Sequence, residues 1–212
     1  MKNYNNRRRF LLTSLAVGSG LALGKRSFSA DKPKDKMKEI FEVIKHRRSV
    51  RKFKDIPVPQ DHIEMILEAA TWAPNPRNRQ AWKFLVVNDR NIIDEMKKVS
   101  IKMFGEQNRE MADMYFSAPV YIVILAETNT PNPPNDLIGA ALAGQNLMLA
   151  ARSLGYGTCF ITNAIPDDVT KQVLNIPELY KRICITPIGI PEDWPTSEGR
   201  KPLSEVVVYN KI

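Results

Sequence analysis

The sequence predicts one domain in which a mixed β-sheet is covered by helices. Four short apolar runs rich in β-branched residues, at 84–87, 120–126, 157–162 and 183–190, read as buried strands. Around them apolar residues recur at helical spacing. The chain has 212 residues, 43% hydrophobic and 25% charged, with 15 Pro and 10 Gly. Such a chain buries a sizeable core without staples and is neither disordered nor collagen-like.

Residues 1–30 read as a signal peptide of the twin-arginine type. A basic, acid-free start leads into an uncharged apolar stretch at 10–24, shorter than the about 20 residues that span a bilayer core. Arg7-Arg8-Arg9-Phe10-Leu11 resembles the export motif, and Ser27-Phe28-Ser29 is a small-x-small cleavage site. Export to the periplasm or another extracytoplasmic location is expected, with membrane tethering if the segment stays uncleaved. That route carries folded proteins, often with their cofactor inserted. Residues 31–36 read as a charged linker and 37–212 as the domain.

Met37, Ile40, Phe41 and Ile44 define a first amphipathic helix, and Ile63, Ile66, Leu67 and Ala70 a second, after the turn signal Pro57-Val58-Pro59. Further helical patterns lie at 92–103, 107–115, 136–154 and 166–174. The long one starts at Asn135-Asp136, either of which is suited to cap it. It holds Gly139, Ala140, Ala141, Ala143, Gly144, Ala150 and Ala151, so another backbone can approach closely. Dense packing within one subunit and a helix-against-helix dimer seam account for this equally well.

Charge and rare residues exclude several functions. The formal charge is +8, from 31 basic and 23 acidic residues. Six basic residues lie in the first 29 (Lys2, Arg7, Arg8, Arg9, Lys25, Arg26), which leaves 25 against 23, or +2, for the remainder. A nucleic-acid partner therefore loses its main support. Cys159 and Cys184 are too few for a disulfide scaffold, and their pairing depends on geometry the sequence does not give. His46 and His62 offer little to a metal centre and are expected to face solvent. Cys159 reads as a buried, apolar-packed thiol, and Met103, Met111 and Met114 as helix packing.

Three clusters are suited to chemistry. His46-Arg47-Arg48-Ser49-Val50-Arg51-Lys52 follows the first helix. Its guanidinium forks match a phosphate, though cations also favour a helix C-terminus. Pro74-Asn75-Pro76-Arg77-Asn78-Arg79-Gln80 leaves the second helix as a loop whose amides and backbone groups can grip a ring with donor and acceptor edges. Arg200-Lys201-Pro202 follows the last strand, near where open sheets bind ligands.

The order Arg-Arg-Ser-x-Arg, Ala-Pro-x-x-x-Asn-x-Gln-x-Trp, the small-residue helix ending in Leu-Gly-Tyr-Gly-Thr-Cys, Pro-Ile-Gly-x-Pro and a late Arg-Lys-Pro resembles the nitroreductase family of flavoproteins, from Phe41 to Val208. The resemblance implies an α+β fold in three α-β-α layers, a homodimer, and one FMN at each of two subunit interfaces. Arg47, Arg48, Ser49 and Arg51 would contact phosphate and ring. Pro74, Asn75, Pro76 and Asn78 would reach the partner's flavin, Ile161, Thr162 and Asn163 would run under the ring, and Arg200 with Lys201 would return to the phosphate. The small-residue helix then belongs to the dimer seam. The implied chemistry is ping-pong hydride transfer to a nitro-aromatic, quinone or similar electron-poor acceptor, with no catalytic side chain assigned. NAD(P)H is the usual donor, and an extracytoplasmic reductant would replace it after export. Dehalogenation on the same fold and a non-enzymatic flavin carrier are the alternatives. Some relatives carry Asn and Lys where Met111 and Met114 stand here.

Overall fold

A computed structural model describes residues 33–211. The signal peptide at 1–30 lies outside the described residues. The first helix, α1 (Pro33–His46), runs back into the stretch expected to be a linker. Proline's fixed φ suits a first helical turn, so Pro33 starts the helix instead of preventing it.

After α1 come α2 (Gln60–Thr71), β1 (Trp82–Val87), α3 (Arg90–Phe104), α4 (Arg109–Tyr115), β2 (Val120–Glu127), α5 (Pro133–Ser153), β3 (Gly157–Thr158), α6 (Asp167–Val173), β4 (Tyr180–Gly189) and a single turn, α7 (Leu203–Val206). The strands stand in the order β1-β2-β4-β3 and pair antiparallel throughout. Among the described residues the parallel component expected of a mixed sheet is confined to one bridge, between Ser49 and Thr158.

Burial follows the pleat of β2. Ile122, Ile124 and Ala126 face one core with Ile63 and Ile66 of α2 and Ala140, Ala143 and Leu147 of α5. Tyr121, Val123 and Leu125 face the other, with Ile93 and Met96 of α3, Phe116 and Ile165. A strand buried on both faces reads as continuous apolar sequence, which is why this one was visible. The result is three layers: α2 and α5, the sheet, then α3, α4 and α6.

Several boundaries differ from expectation: β1 starts two residues early at Trp82 and β4 three residues early at Tyr180. Asn132, not Asn135 or Asp136, caps α5, its side chain accepting from the Asn135 amide with Pro133 in the first turn. The third strand keeps only Gly157 and Thr158 in its ladder, plus an isolated bridge from Ile161 to Ile185, although Phe160 still packs on the α5 face beside Gly144 while Cys159 and Ile161 face the other core. Residues 106–108 form a 3₁₀ turn, so α4 starts at Arg109.

Tyr121 pins the entry to β2. Its hydroxyl accepts from the Ala118 amide at 3.0 Å and donates to the Tyr115 carbonyl at 2.9 Å, on a fully buried side chain. Burial pushes its ionisation well above the ordinary tyrosine range. Tyr121→Phe removes both partners and leaves a buried amide unpaired, an expected loss of about 1–3 kcal/mol, read as a lower urea midpoint at unchanged slope.

Candidate functional site

The first arginine motif is placed by backbone pairing. The Arg47 amide closes α1 on the Val43 carbonyl, and the chain then runs extended: the Val50 amide donates to the Thr158 carbonyl at 2.9 Å, the Lys54 amide to Ile190, and the Glu192 amide to Lys52. Val50 and Phe53 are buried along this path. Residues 47–54 are thereby wedged between β3 and the segment after β4.

That wedge gathers cations. Burial, with Arg200 and Arg48 nearby, lowers the Arg47 pKa, while Cys159 opposes the shift. Burial and Arg48 do the same to Arg152. Among the described residues none of these four arginines forms an ion pair. Arg48 spends one nitrogen on the Lys45 and Arg47 carbonyls at 2.6 and 2.9 Å, so for it the helix-terminus role is realised. Arg152, at the last turn of α5, stacks 3.8 Å over the Trp194 ring. It was missed at the sequence level, since a lone basic residue ending a helix carries no signal of its own.

Cys159 is buried against the same cluster. Burial pushes its thiol up, against Arg51, a hydrogen bond with Ser49, and Arg47. It is therefore packed beside cations and not in apolar surroundings alone. Cys184 is also buried, its thiol pushed up to about 12 by burial, and the two cysteines are not paired. Beside Cys159, the Thr158 hydroxyl is buried with no partner among the described residues. Uncompensated guanidiniums and an orphaned hydroxyl fit a dianionic phosphate with acceptor oxygens. Arg51 is exposed and donates to the Ser49 carbonyl at 3.2 Å. Arg200 joins the cluster, whereas Lys201 is exposed and makes no contact with it among the described residues.

Ile161 is buried, with Thr162 exposed beyond it and Asn163 opening a turn. Two small cavities border this region. One, about 230 Å³, lies between α3, α4 and Asn163 with Met111 in its wall. The other, about 260 Å³, is lined by Ser49, Arg51 and Met114. Met111 is 46% exposed and Met103 49%, so these methionines are not core packing. Beneath the turn, Arg182 donates to the Thr162 carbonyl at 3.1 Å and lies 3.6 Å from Asp167, with 6% of its side chain exposed. A β-bulge between Cys184 and Arg182 places it. His62 is half-buried rather than solvent-facing, its Nδ1 2.7 Å from the Tyr156 hydroxyl.

Pro74, Asn75, Pro76 and Asn78 are not part of this cluster. The Asn75 side chain accepts from the Gln80 amide at 2.8 Å, and Gly139 of α5 leaves room for Asn75 and Pro76. Arg152 stands 13 residues further along the same helix, about 20 Å at 1.5 Å per residue. One chain thus carries the loop and the guanidiniums at opposite ends of α5. A cleft of about 780 Å³ among the described residues is lined by none of the candidate site residues. Of its charges, Lys97 is paired with Asp113 and Arg90 with Asp94. Among the described residues no three His, Cys, Asp or Glu side chains group to hold a metal.

Residues 44–190 match the nitroreductase family. A protein of Methanothermobacter thermautotrophicus named as an NADH dehydrogenase/NAD(P)H nitroreductase is 31% identical over 74% of this chain and 80% of its own length. The iodotyrosine deiodinase of Thermotoga neapolitana is 28% identical over 82% of this chain and 99% of its own. A crystal structure of a nitroreductase from Desulfovibrio desulfuricans in complex with FMN superposes with a TM-score of 0.69 at 25% identity, over 82% of this chain and 97% of that one. With the arginine wedge, the asparagine–proline loop and the α5 scaffold in the family's order, the chain belongs to the nitroreductase family.

Proposed function

We propose that the protein is an FMN-dependent oxidoreductase that acts as a homodimer, reducing nitro-aromatic, quinone or similar electron-poor compounds in a ping-pong cycle. The observation that carries this reading is the unpaired cluster of Arg47, Arg48, Arg152 and Arg200 at one end of α5, opposite the loop at the other. Arg47 and Arg200 would hold the phosphate, with the Thr158 hydroxyl nearby. Arg51 and Ser49 would hold the ring edge, and Pro74, Asn75, Pro76 and Asn78 of a second copy would complete the site. Bound FMN supplies two-electron hydride transfer between a donor and the acceptor. The Arg51 guanidinium would favour an anionic ring edge, while Ile161 and the segment held by Arg182 would cover one side of the ring.

Exposed apolar residues support the dimer. Ile40, Phe41 and Ile44 of α1, Ile138 and Leu142 of α5, and Leu203, Val206, Val208 and Tyr209 near the C-terminus are all solvent-exposed in one chain, more than a monomer usually leaves uncovered. NAD(P)H is the donor that the names of the relatives suggest. If residues 1–30 direct export, an extracytoplasmic reductant takes its place.

The deiodinase relative supports dehalogenation as a second reading. The visible spectrum of the purified protein, with extraction and mass measurement of the chromophore, tests the cofactor. Dithionite-reduced protein is then mixed anaerobically with a nitro-aromatic, a quinone or an iodotyrosine. Reoxidation by the first two supports the main reading, and iodide release by the third the alternative. A protein that stays reduced with all three is a carrier.

A further inference from the structure

The loop 75–80 holds an improbable backbone. Arg77, Asn78 and Gln80 have φ of 51°, 54° and 53°. That is the left-handed region, which side chains resist and glycine does not, yet this stretch has no glycine. Something must hold it. Between the strained residues lies Arg79, whose Nη2 donates to both oxygens of Asp136 at 2.8 Å. The Asp136 side chain is 1% exposed and also accepts from the Thr130 hydroxyl.

We infer that Asp136 and Arg79 form a latch that locks the loop 75–80 in its left-handed conformation and so sets the affinity of the site for FMN, a positioning role that rests on the proposed reading of the loop as the partner-facing wall of that site. The latch ties three segments together: the loop, the connection carrying Thr130, and the first turns of α5. Asp136 was expected as a helix cap, but Asn132 does that work, which leaves the Asp136 carboxylate for Arg79. Burial alone would raise its pKa; the hydrogen bonds from Arg79 and Thr130 and the guanidinium charge outweigh that and keep it ionised. Gly139, one helical turn on, lets the loop seat directly on α5. A loop released from the latch samples right-handed conformations, and only the fraction still in the native one binds.

The test uses the full chain as Asp136→Asn, Arg79→Gln and the double variant. Trypsin cleavage after the exposed Arg77 is followed by mass spectrometry in the absence of added ligand, and FMN affinity by quenching of flavin fluorescence. Each single variant is expected to be cut at least tenfold faster at Arg77 and to bind FMN about tenfold more weakly, as expected if the competent loop falls to a tenth of the population. The double variant should be no worse than either single one, since both residues act through one contact. Unchanged cleavage at Arg77 would overturn the latch. Faster cleavage with unchanged FMN affinity would overturn its link to the site, and additive losses would show that the two residues act separately. Should either single variant fail to fold, Arg79→Lys decides by the same two readouts, since it keeps a cation beside the buried Asp136 carboxylate but loses the guanidinium fork. Wild-type protein that binds no FMN would overturn the reading of the site while the cleavage data still judge the latch.

Discussion

Gly157→Ala is expected to lower stability by about 3 kcal/mol, at the upper end of ordinary overpacking. A methyl group there would sit 2.7 Å from Cβ and Cγ2 of Val50 and 2.9 Å from Pro191. Val50 is 1% exposed, and its Cβ is attached directly to backbone whose amide donates to the Thr158 carbonyl, so it has nowhere to retreat. For a chain of this size that loss corresponds to a thermal midpoint lower by roughly 6–12 °C. The same clash pries Ser49 from Thr158, so FMN retention should fall with the midpoint. A wild-type melting curve for this variant would show that the wedge is looser than the structure implies.

Arg47→Ala is expected to act on binding and spare the fold. One charge-assisted contact contributes roughly 1.5–3 kcal/mol, so the dissociation constant for FMN should rise about 10- to 150-fold. Stability should hold or rise slightly, because the residue forms no ion pair among the described residues and is repelled by the charges of Arg200 and Arg48. Dialysis followed by flavin quantitation, with a thermal melt alongside, separates the two effects. Undiminished flavin stoichiometry would remove Arg47 from the phosphate site.

The parts that sequence patterns reveal are those governed by local physics. The apolar run 120–126 announced a buried strand, and the arginine, asparagine and glycine motifs announced their loops. Elements decided by distant partners were not legible. Residues 159–162 keep the alternating burial of a strand yet only Ile161 pairs with β4, a loss of ladder that the apolar pattern does not reveal. Asp136 looked like a cap because nothing local reveals Arg79, 57 residues away. Arg152 appears as an isolated charge and Arg182 as half of a Lys-Arg pair, and only the Trp194 ring and the bulge in β4 show what they do. Met111 and Met114 fit a helical period, yet they border cavities because α4 is short and lies at the surface.

The separation of the two functional ends of α5 also limits how this scaffold can change. On the proposed reading, α5 carries the phosphate-binding guanidiniums near one end and the Asp136 clasp near the other, and so acts as a measuring rod with a step of 1.5 Å and about 100° per residue. Inserting a single amino acid anywhere between Gly139 and Arg152 would swing the two tips out of phase. Growth and loss of sequence should therefore accumulate in the short surface helix α4, while the length of α5 stays fixed.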